Sequence, residues 1–322
     1  MSRKILVTGG CGFVGTNLVM RLSARGDVVT VYDNLSRKGV ERNHKMLTEK
    51  FPEVKFMQAD VAEAGPFLSE NKFDLAYHLA AQVAVTTSYD DPASDFRTNA
   101  LGSFNIASSG IPTIYASTNK VFGENVNAVS LVEKKTRYDF AGKLAGFGIS
   151  EDFPLDSKKH TPYGVSKLVG DLYVREFGGV VNRFSCMYGP WQHGNTDQGW
   201  LAHFIKSKLE NRPVTIYSDG KQIRDVLYID DVIDLLELEG DKIESFRGEV
   251  FNIGGGYDKT ISLLELCEML DMKTSFADWR PADQKVYYSD IRKAAKLLGW
   301  KPKWTVEGGV EETKRWLSAN LN

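Results

Sequence analysis

Cysteine is scarce in this chain: three among 322 residues, at Cys11, Cys186 and Cys267. Thiols so far apart build neither a disulfide framework nor a zinc site, and such sparse use suits a reducing cytoplasm. The five histidines form no HExxH pattern, so no metal is expected. Charge of one sign is missing too, since 40 Lys and Arg against 42 Asp and Glu leave a net −2. That balance provides no chain-wide basic surface for nucleic acid, and runs such as Glu133-Lys134-Lys135 read as solvated faces. No apolar run reaches membrane length. The one after Arg3 and Lys4 stops at glycines and lacks a small-residue cleavage pattern, so the expectation is a soluble cytoplasmic protein with neither leader nor membrane partner. Pro- or Ser-rich linkers, internal repeats and low-complexity tracts are not found either.

What is present is alternation. KILVTGG, VVTVYD, VKFMQAD, FDLAYHLA, TIYAS and GVVNRFS are short apolar runs rich in β-branched residues, separated by stretches long enough for helices. Such repetition predicts an α/β fold with a doubly wound parallel sheet, whose strands are covered on both faces. Beyond about residue 190 the pattern changes, with Gly, Asn, Asp and Trp clustered in YGPWQHGNTDQGW. We therefore expect residues 1–185 to form the sheet domain, with an insertion at 125–160. Residues 186–322 should form mostly a smaller lobe, some of whose segments return to the first. A last helix is expected in VEGGVEETKRWLSANL.

Gly10-Cys11-Gly12-Phe13-Val14-Gly15 fits GxGxxG, with Gly9 as a further glycine at the turn. A strand precedes it, a helical segment follows, and Asp33 ends the next strand about 20 residues on, which is the spacing of a dinucleotide (Rossmann) fingerprint. Glycines let backbone approach a pyrophosphate, whose charge then faces the helix N-terminus. Asp33 suits ribose hydroxyls and repels a 2′-phosphate, so NAD is expected rather than NADP; Arg37 keeps the second cofactor open. Asn34 follows Asp33, and Asp60 with Val61 is placed on the adenine side, Asp60 reading equally as a helix cap. Further along, Tyr163 and Lys167 stand four residues apart on one helical face, after Pro162 suited to a first turn. A cation so near a phenol predicts a tyrosine pKa drawn down toward working pH.

Together GGCGFVG, HLAAQ, STNKVFG, YGVSK, RDV with YIDD, and NIGGG resemble the extended short-chain dehydrogenase/reductase family, specifically its nucleotide-sugar epimerases and dehydratases. The resemblance covers essentially the whole chain. It implies an NAD-binding domain, a smaller sugar-nucleotide lobe, and a Ser/Thr-Tyr-Lys catalytic group, here Thr118, Tyr163 and Lys167, with Ser117 as the neighbouring alternative hydroxyl. Phe122 stands where the family pattern has tyrosine. The resemblance places Leu79, Ala80 and Ala81 beneath the cofactor with Asn99 as the buried asparagine of the next helix, while His78 reads as a satisfied strand-end histidine. Gln82, Asn119, Lys120, Cys186, Gln198 and Trp200 become candidate substrate contacts. Arg224 and Arg280 match diphosphate-binding arginines, for which an ion pair to Asp225 or Asp283 is the competing reading. Asn252 more simply fixes a turn.

In the related 4,6-dehydratases the threonine is followed by Asp-Glu, the acid and base that expel water; Asn119 cannot act as an acid, and a lysine kept protonated, Lys120, is a poor substitute for the glutamate. What is left suits oxidation, turning of a ketosugar, and return of hydride to its other face, which is epimerisation. STNKVFG, VSLVEKKTRY, GISEDFPLD, MYG, TDQGW, GKQIRDVLY and WRPADQKVYYSD look most like the CDP-paratose 2-epimerase (CDP-tyvelose epimerase) branch. Cys186, where the usual 4-epimerase pattern has asparagine, departs from a UDP-galactose assignment, and Trp191 and His193 depart from the 2-epimerase branch as well. The rival readings are a UDP-hexose 4-epimerase, a nucleotide-sugar reductase using NADPH, and a catalytically silent dinucleotide sensor. Helices near 92–108 and 161–177 resemble those that pair across the family's dimer interface, so a homodimer or tetramer is expected.

Overall fold

The computed structural model describes residues 2–280 and 283–320; Pro281 and Ala282 of the WRPADQKVYYSD stretch lie outside the described residues. Seven parallel strands form the central sheet: β1 (Lys4–Thr8), β2 (Val28–Asp33), β3 (Lys55–Gln58), β4 (Leu75–His78), β5 (Thr113–Thr118), β6 (Val180–Phe184) and β7 (Val250–Ile253). Their spatial order is 3-2-1-4-5-6-7. The first six match the apolar runs of the sequence. The seventh, VFNI, is a four-residue strand buried throughout, too short to stand out there.

Strand pleating sends neighbours to opposite faces. Ile5 and Val7 meet Leu18 and Val19 of α1 (Phe13–Ala24) in one apolar cluster, while Leu6 joins Ile106 in another on the opposite face. That second face is covered by α2 (residues 92–107) and by α3 (Pro162–Glu176). Of these, α2 is made of Pro92–Asp95, a π-helical stretch Phe96–Leu101, and Gly102–Ala107, so the helix expected near 92–108 carries a local widening of its turns. On the first face, α5 (Ile229–Asp241) packs against α1. Between them in sequence lies α4 (Trp200–Leu209), and α6 (Val306–Asn320) forms the expected last helix.

The remaining C-terminal strands build small sheets. Ile223–Tyr228 pairs with Cys186–Tyr188, Thr260–Ser262 and Val286–Tyr287, while Val214–Tyr217 pairs with Thr274–Ala277. The 125–160 segment contributes the hairpin Leu131–Glu133 with Tyr138–Phe140, and packs with Ile223 and Tyr287 in one apolar cluster. Phe122 belongs to that cluster. It is wholly buried, stacked on Tyr287 at 6.3 Å between ring centroids and edge-on to Phe153 at 6.0 Å, so a phenylalanine fills this position by packing alone.

Candidate active site

Strand order reverses direction between β1 and β4, which opens a crevice at the C-terminal ends of the strands. A cleft of about 1120 Å³ occupies this region and extends under the C-terminal segments. It is lined by Gly9, Gly12, Phe13, Val14, Gly15, Asp33, Asn34, Arg37, Asp60, Val61, Leu79, Ala80 and Ala81. The same cleft is lined by Thr118, Tyr163 and Lys167, and by Gln82, Asn119, Lys120, Cys186, Gln198, Trp200, Arg224 and Arg280. Asn99 alone among the expected site residues does not line it.

The glycine turn fits a dinucleotide for reasons that differ along it. A Cβ on Gly15 would lie 2.2 Å from the Gly9 carbonyl oxygen, so Gly15 serves the packing of α1 on the turn. Gly9 has φ +66, and a Cβ there would stand 2.7 Å from the Ala80 nitrogen. Gly12 caps α1 without a side chain, leaving the first-turn N–H groups free to meet an anion. Asp33 is 9 % exposed; its Oδ2 accepts the Cys11 N–H and its Oδ1 the Leu35 N–H, both at 2.9 Å. Burial raises its pKa and those two N–H groups oppose the rise, while lone pairs remain for ribose hydroxyls. Asp60 accepts the Ala62 N–H at 2.9 Å as a helix cap and receives the Asn34 amide at 3.0 Å.

β5 delivers Thr118, and α3 delivers Tyr163 and Lys167 on its first turns. Thr161 caps α3 by accepting the Gly164 N–H at 2.9 Å, with Pro162 next to it. Tyr163 is 7 % exposed and Lys167 2 %. The expected lowering of the Tyr163 pKa is corrected here: burial pushes it up to about 12, Asp95 adds to the rise, and the Thr118 hydroxyl works against it. Lys167 is pushed down to about 7 by burial, against which the charges of Asp171 and then Asp95 act. Its ammonium lies 4.2 Å from the centre of the Tyr115 ring, a contact that favours the charged form. Ser117 donates to Asp171 at 3.1 Å, in a buried pair with Arg183, which leaves Thr118 as the hydroxyl beside Tyr163.

Asn99 is the buried asparagine expected of the next helix, and it braces the Gln82 loop. Its amide donates to the Gln82 carbonyl and to Ser166 Oγ, each at 3.0 Å, and its oxygen accepts the Gln82 N–H at 2.9 Å. Asp95, one turn earlier, accepts from Ser166 Oγ at 3.1 Å and from the Gln82 side chain. The sequence reading missed Asp95 and Asp171, although each stands four residues from a residue it had singled out, Asn99 and Lys167. His78 is satisfied as expected, by Thr8 Oγ1 at 2.7 Å and Ser103 Oγ at 2.9 Å, and burial pushes it down to about 3.

Arg224 donates to Asp283 at 2.6 Å, and Asp225 is instead buried under the Ser289 and Gly256 N–H groups. Arg280 donates to the Thr196 carbonyl at 2.8 Å and lies 3.9 Å from the centre of the Tyr217 ring. Lys120 Nζ donates to Gln284 Oε1 at 3.2 Å. Asn252 fixes backbone, donating to the Ile149 carbonyl at 2.8 Å. Gln198 and Gln192 each leave a buried side-chain oxygen without a partner in the cleft. Among the described residues no group of His, Cys, Asp or Glu could hold a metal ion, and no helix is long and apolar enough to cross a membrane.

A dinucleotide crevice in a parallel sheet of this order, with threonine, tyrosine and lysine at its edge, defines an extended short-chain dehydrogenase/reductase. The chain belongs to the NAD dependent epimerase/dehydratase family, whose model matches residues 5–254, and its cofactor is NAD. It is 36% identical over 342 residues to the CDP-paratose 2-epimerase of Salmonella typhi, covering 98% of this chain and 99% of that protein. Its structure is similar to the UDP-glucose 4-epimerase of Thermotoga maritima solved with UDP-glucose, at TM-score 0.83 and 29% identity, over 99% of this chain and 100% of that one. It is likewise similar to the UDP-glucuronic acid 4-epimerase of Bacillus cereus in complex with UDP-glucuronic acid and NAD, at TM-score 0.82 and 28% identity, over 98% and 99% of the two chains.

Proposed function

We propose that the chain is a nucleotide-sugar epimerase of the CDP-paratose 2-epimerase type, working by transient oxidation to a ketosugar. The observation that carries this reading is the surroundings of Thr118. Tyr163 and Lys167 share its cleft, yet Asn119 and Lys120 follow it, and Asp283 is tied to Arg224. No carboxylate follows Thr118 to expel water, which favours reversal of the oxidation over dehydration. The 36% identity to the Salmonella typhi enzyme supports the choice of branch.

Tyr163 Oη takes the proton of the reacting sugar hydroxyl while Thr118 Oγ1 donates to the same oxygen. After the ketone has turned, the phenol returns the proton. Lys167 supplies positive charge within the same buried site, and the glycine turn with Asp33 holds the dinucleotide. NAD, held by the glycine turn and Asp33, would supply the hydride acceptor and donor, and its positive charge would favour phenolate at Tyr163. Gln82, Asn119, Lys120, Cys186, Gln198, Trp200, Arg224 and Arg280 take the sugar nucleotide; residues 1–185 serve mainly the cofactor and 186–322 mostly the substrate, with some later segments returning to the first domain. A cytoplasmic homodimer or tetramer completes the proposal.

The test is turnover by NAD-loaded protein without added cofactor, followed by NMR of the product. CDP-paratose should be inverted at C2. Inversion of UDP-glucose at C4 instead would make it a 4-epimerase, and a halt after one equivalent would make it a reductase. Tyr163→Phe should cut turnover by about a hundredfold or more. An unchanged cellular role after that substitution would favour a dinucleotide sensor.

A further inference from the structure

Lys120 is a half-buried ammonium in the cleft wall that makes no ion pair among the described residues; its partner is the neutral Gln284 Oε1 at 3.2 Å. The Lys120 N–H donates to Thr118 Oγ1 at 3.3 Å, so the side chain starts two residues past that hydroxyl. Arg224 stands beside it, near enough that its like charge adds to burial in pushing the Lys120 pKa down to about 8. Asp283 takes Arg224 at 2.6 Å and is followed directly by Gln284, so the two cations converge on adjacent residues. Two positive groups thus face one carboxylate. Such an arrangement is costly without an anion to complete it, because enclosing a charge is offset only by pairing it.

Ring geometry indicates which anion. A group beside the reacting carbon of a pyranose meets one of that carbon's two ring neighbours. The neighbours of C2 are C3 and C1, and C1 carries the diphosphate; those of C4 are C3 and C5, and neither carries phosphate. We propose that Lys120, with Arg224 beside it, grips the sugar-linked phosphate of a nucleoside-diphosphate sugar and thereby presents C2, the carbon next to the anomeric centre, to Thr118 and Tyr163. The proposal rests on the 2-epimerase reading. A hexuronate reacting at C4 would bring a similar negative charge as its C5 carboxylate, but a planar guanidinium next to a point-charge ammonium suits several phosphate oxygens better.

Titration calorimetry of CDP and CMP against the NAD-loaded protein tests it. Lys120→Met should weaken CDP by about 10- to 100-fold and leave CMP within about twofold, whereas Lys120→Arg should recover most of the CDP affinity. CDP binding unchanged in Lys120→Met, or CMP weakened as much as CDP, overturns the contact. Unchanged CDP binding together with a raised KM for UDP-glucuronate would assign the anion to a carboxylate and overturn it equally. Lys120→Gln serves as a second charge-removing variant should the methionine variant fail to melt cooperatively. The product separates the two claims: a C2 epimer with CDP binding unaffected sinks the phosphate contact alone, and a C4 epimer with the CDP effect intact sinks the 2-epimerase reading and the choice of carbon while leaving the phosphate contact.

Discussion

Asp95 shows how much one side chain can govern. It is buried, faces Lys167 and Tyr163 on α3, takes hydrogen bonds from Ser166 and Gln82, and has Asp91 nearby on its own element. Its charge raises the pKa of both Tyr163 and Lys167. Asp95→Asn should therefore move both limbs of the pH profile of kcat/KM to lower pH, by about one unit or less. A profile that only shrinks in height would mean that Asp95 merely fixes the Gln82 loop. Residues of this kind were illegible in the sequence because their partners come from separate elements. Tyr163 and Lys167, four positions apart, declared themselves; the burial that drives the tyrosine upward did not.

Elements were legible in proportion to their length and punctuation. The glycine turn with its flanking strand and helix, and α3 with Pro162 in front, carry strong local signals. β7 carries almost none, and the π-helical stretch of α2 leaves no mark in the periodicity. The seam between α5 and β6 is equally hidden, and it holds Glu239. Asn182 donates to Glu239 Oε2 at 2.6 Å, while Glu239 Oε1 and Asn182 Oδ1 have no partner, and burial pushes the acid up to about 8. A proton on Oε1 would satisfy one of these oxygens by donation. Unfolded, the acid titrates near its ordinary value of about 4.3, so folding takes up a proton between there and about pH 8, and stability falls as pH rises through that window. Glu239→Gln removes the titration. Its stability should gain on that of the natural protein from pH 5 to pH 8, by on the order of 3 to 4 kcal/mol, read as a melting-temperature difference that widens with pH. A difference that stays flat with pH would show that Glu239 does not ionise there.

At the scale of the molecule, α2 and α3 bury one side and expose another that is strongly apolar. Phe96 is 58% exposed and Leu172 51%, with Phe104, Tyr173 and Phe177 beside them, Phe104 edge-on to Tyr173 at 5.1 Å between ring centroids. A contiguous patch of this kind suits a second copy of the chain. Leu172→Glu should shift the sedimenting species from two chains to one; a species unchanged by it would move the interface elsewhere. The parallel sheet and the change of texture near residue 190 were readable because strand composition and loop composition differ so strongly. The contribution of residues 250–253 to the sheet was not, since it depends on a partner some 70 positions earlier, at Val181 to Phe184. That late partner also sets a timetable. A ribosome releases β6 well before β7, so the outer rim of β6 emerges unpaired and waits while the whole intervening stretch is synthesised, a hydrogen-bonding edge open to chaperones or to a neighbouring nascent chain.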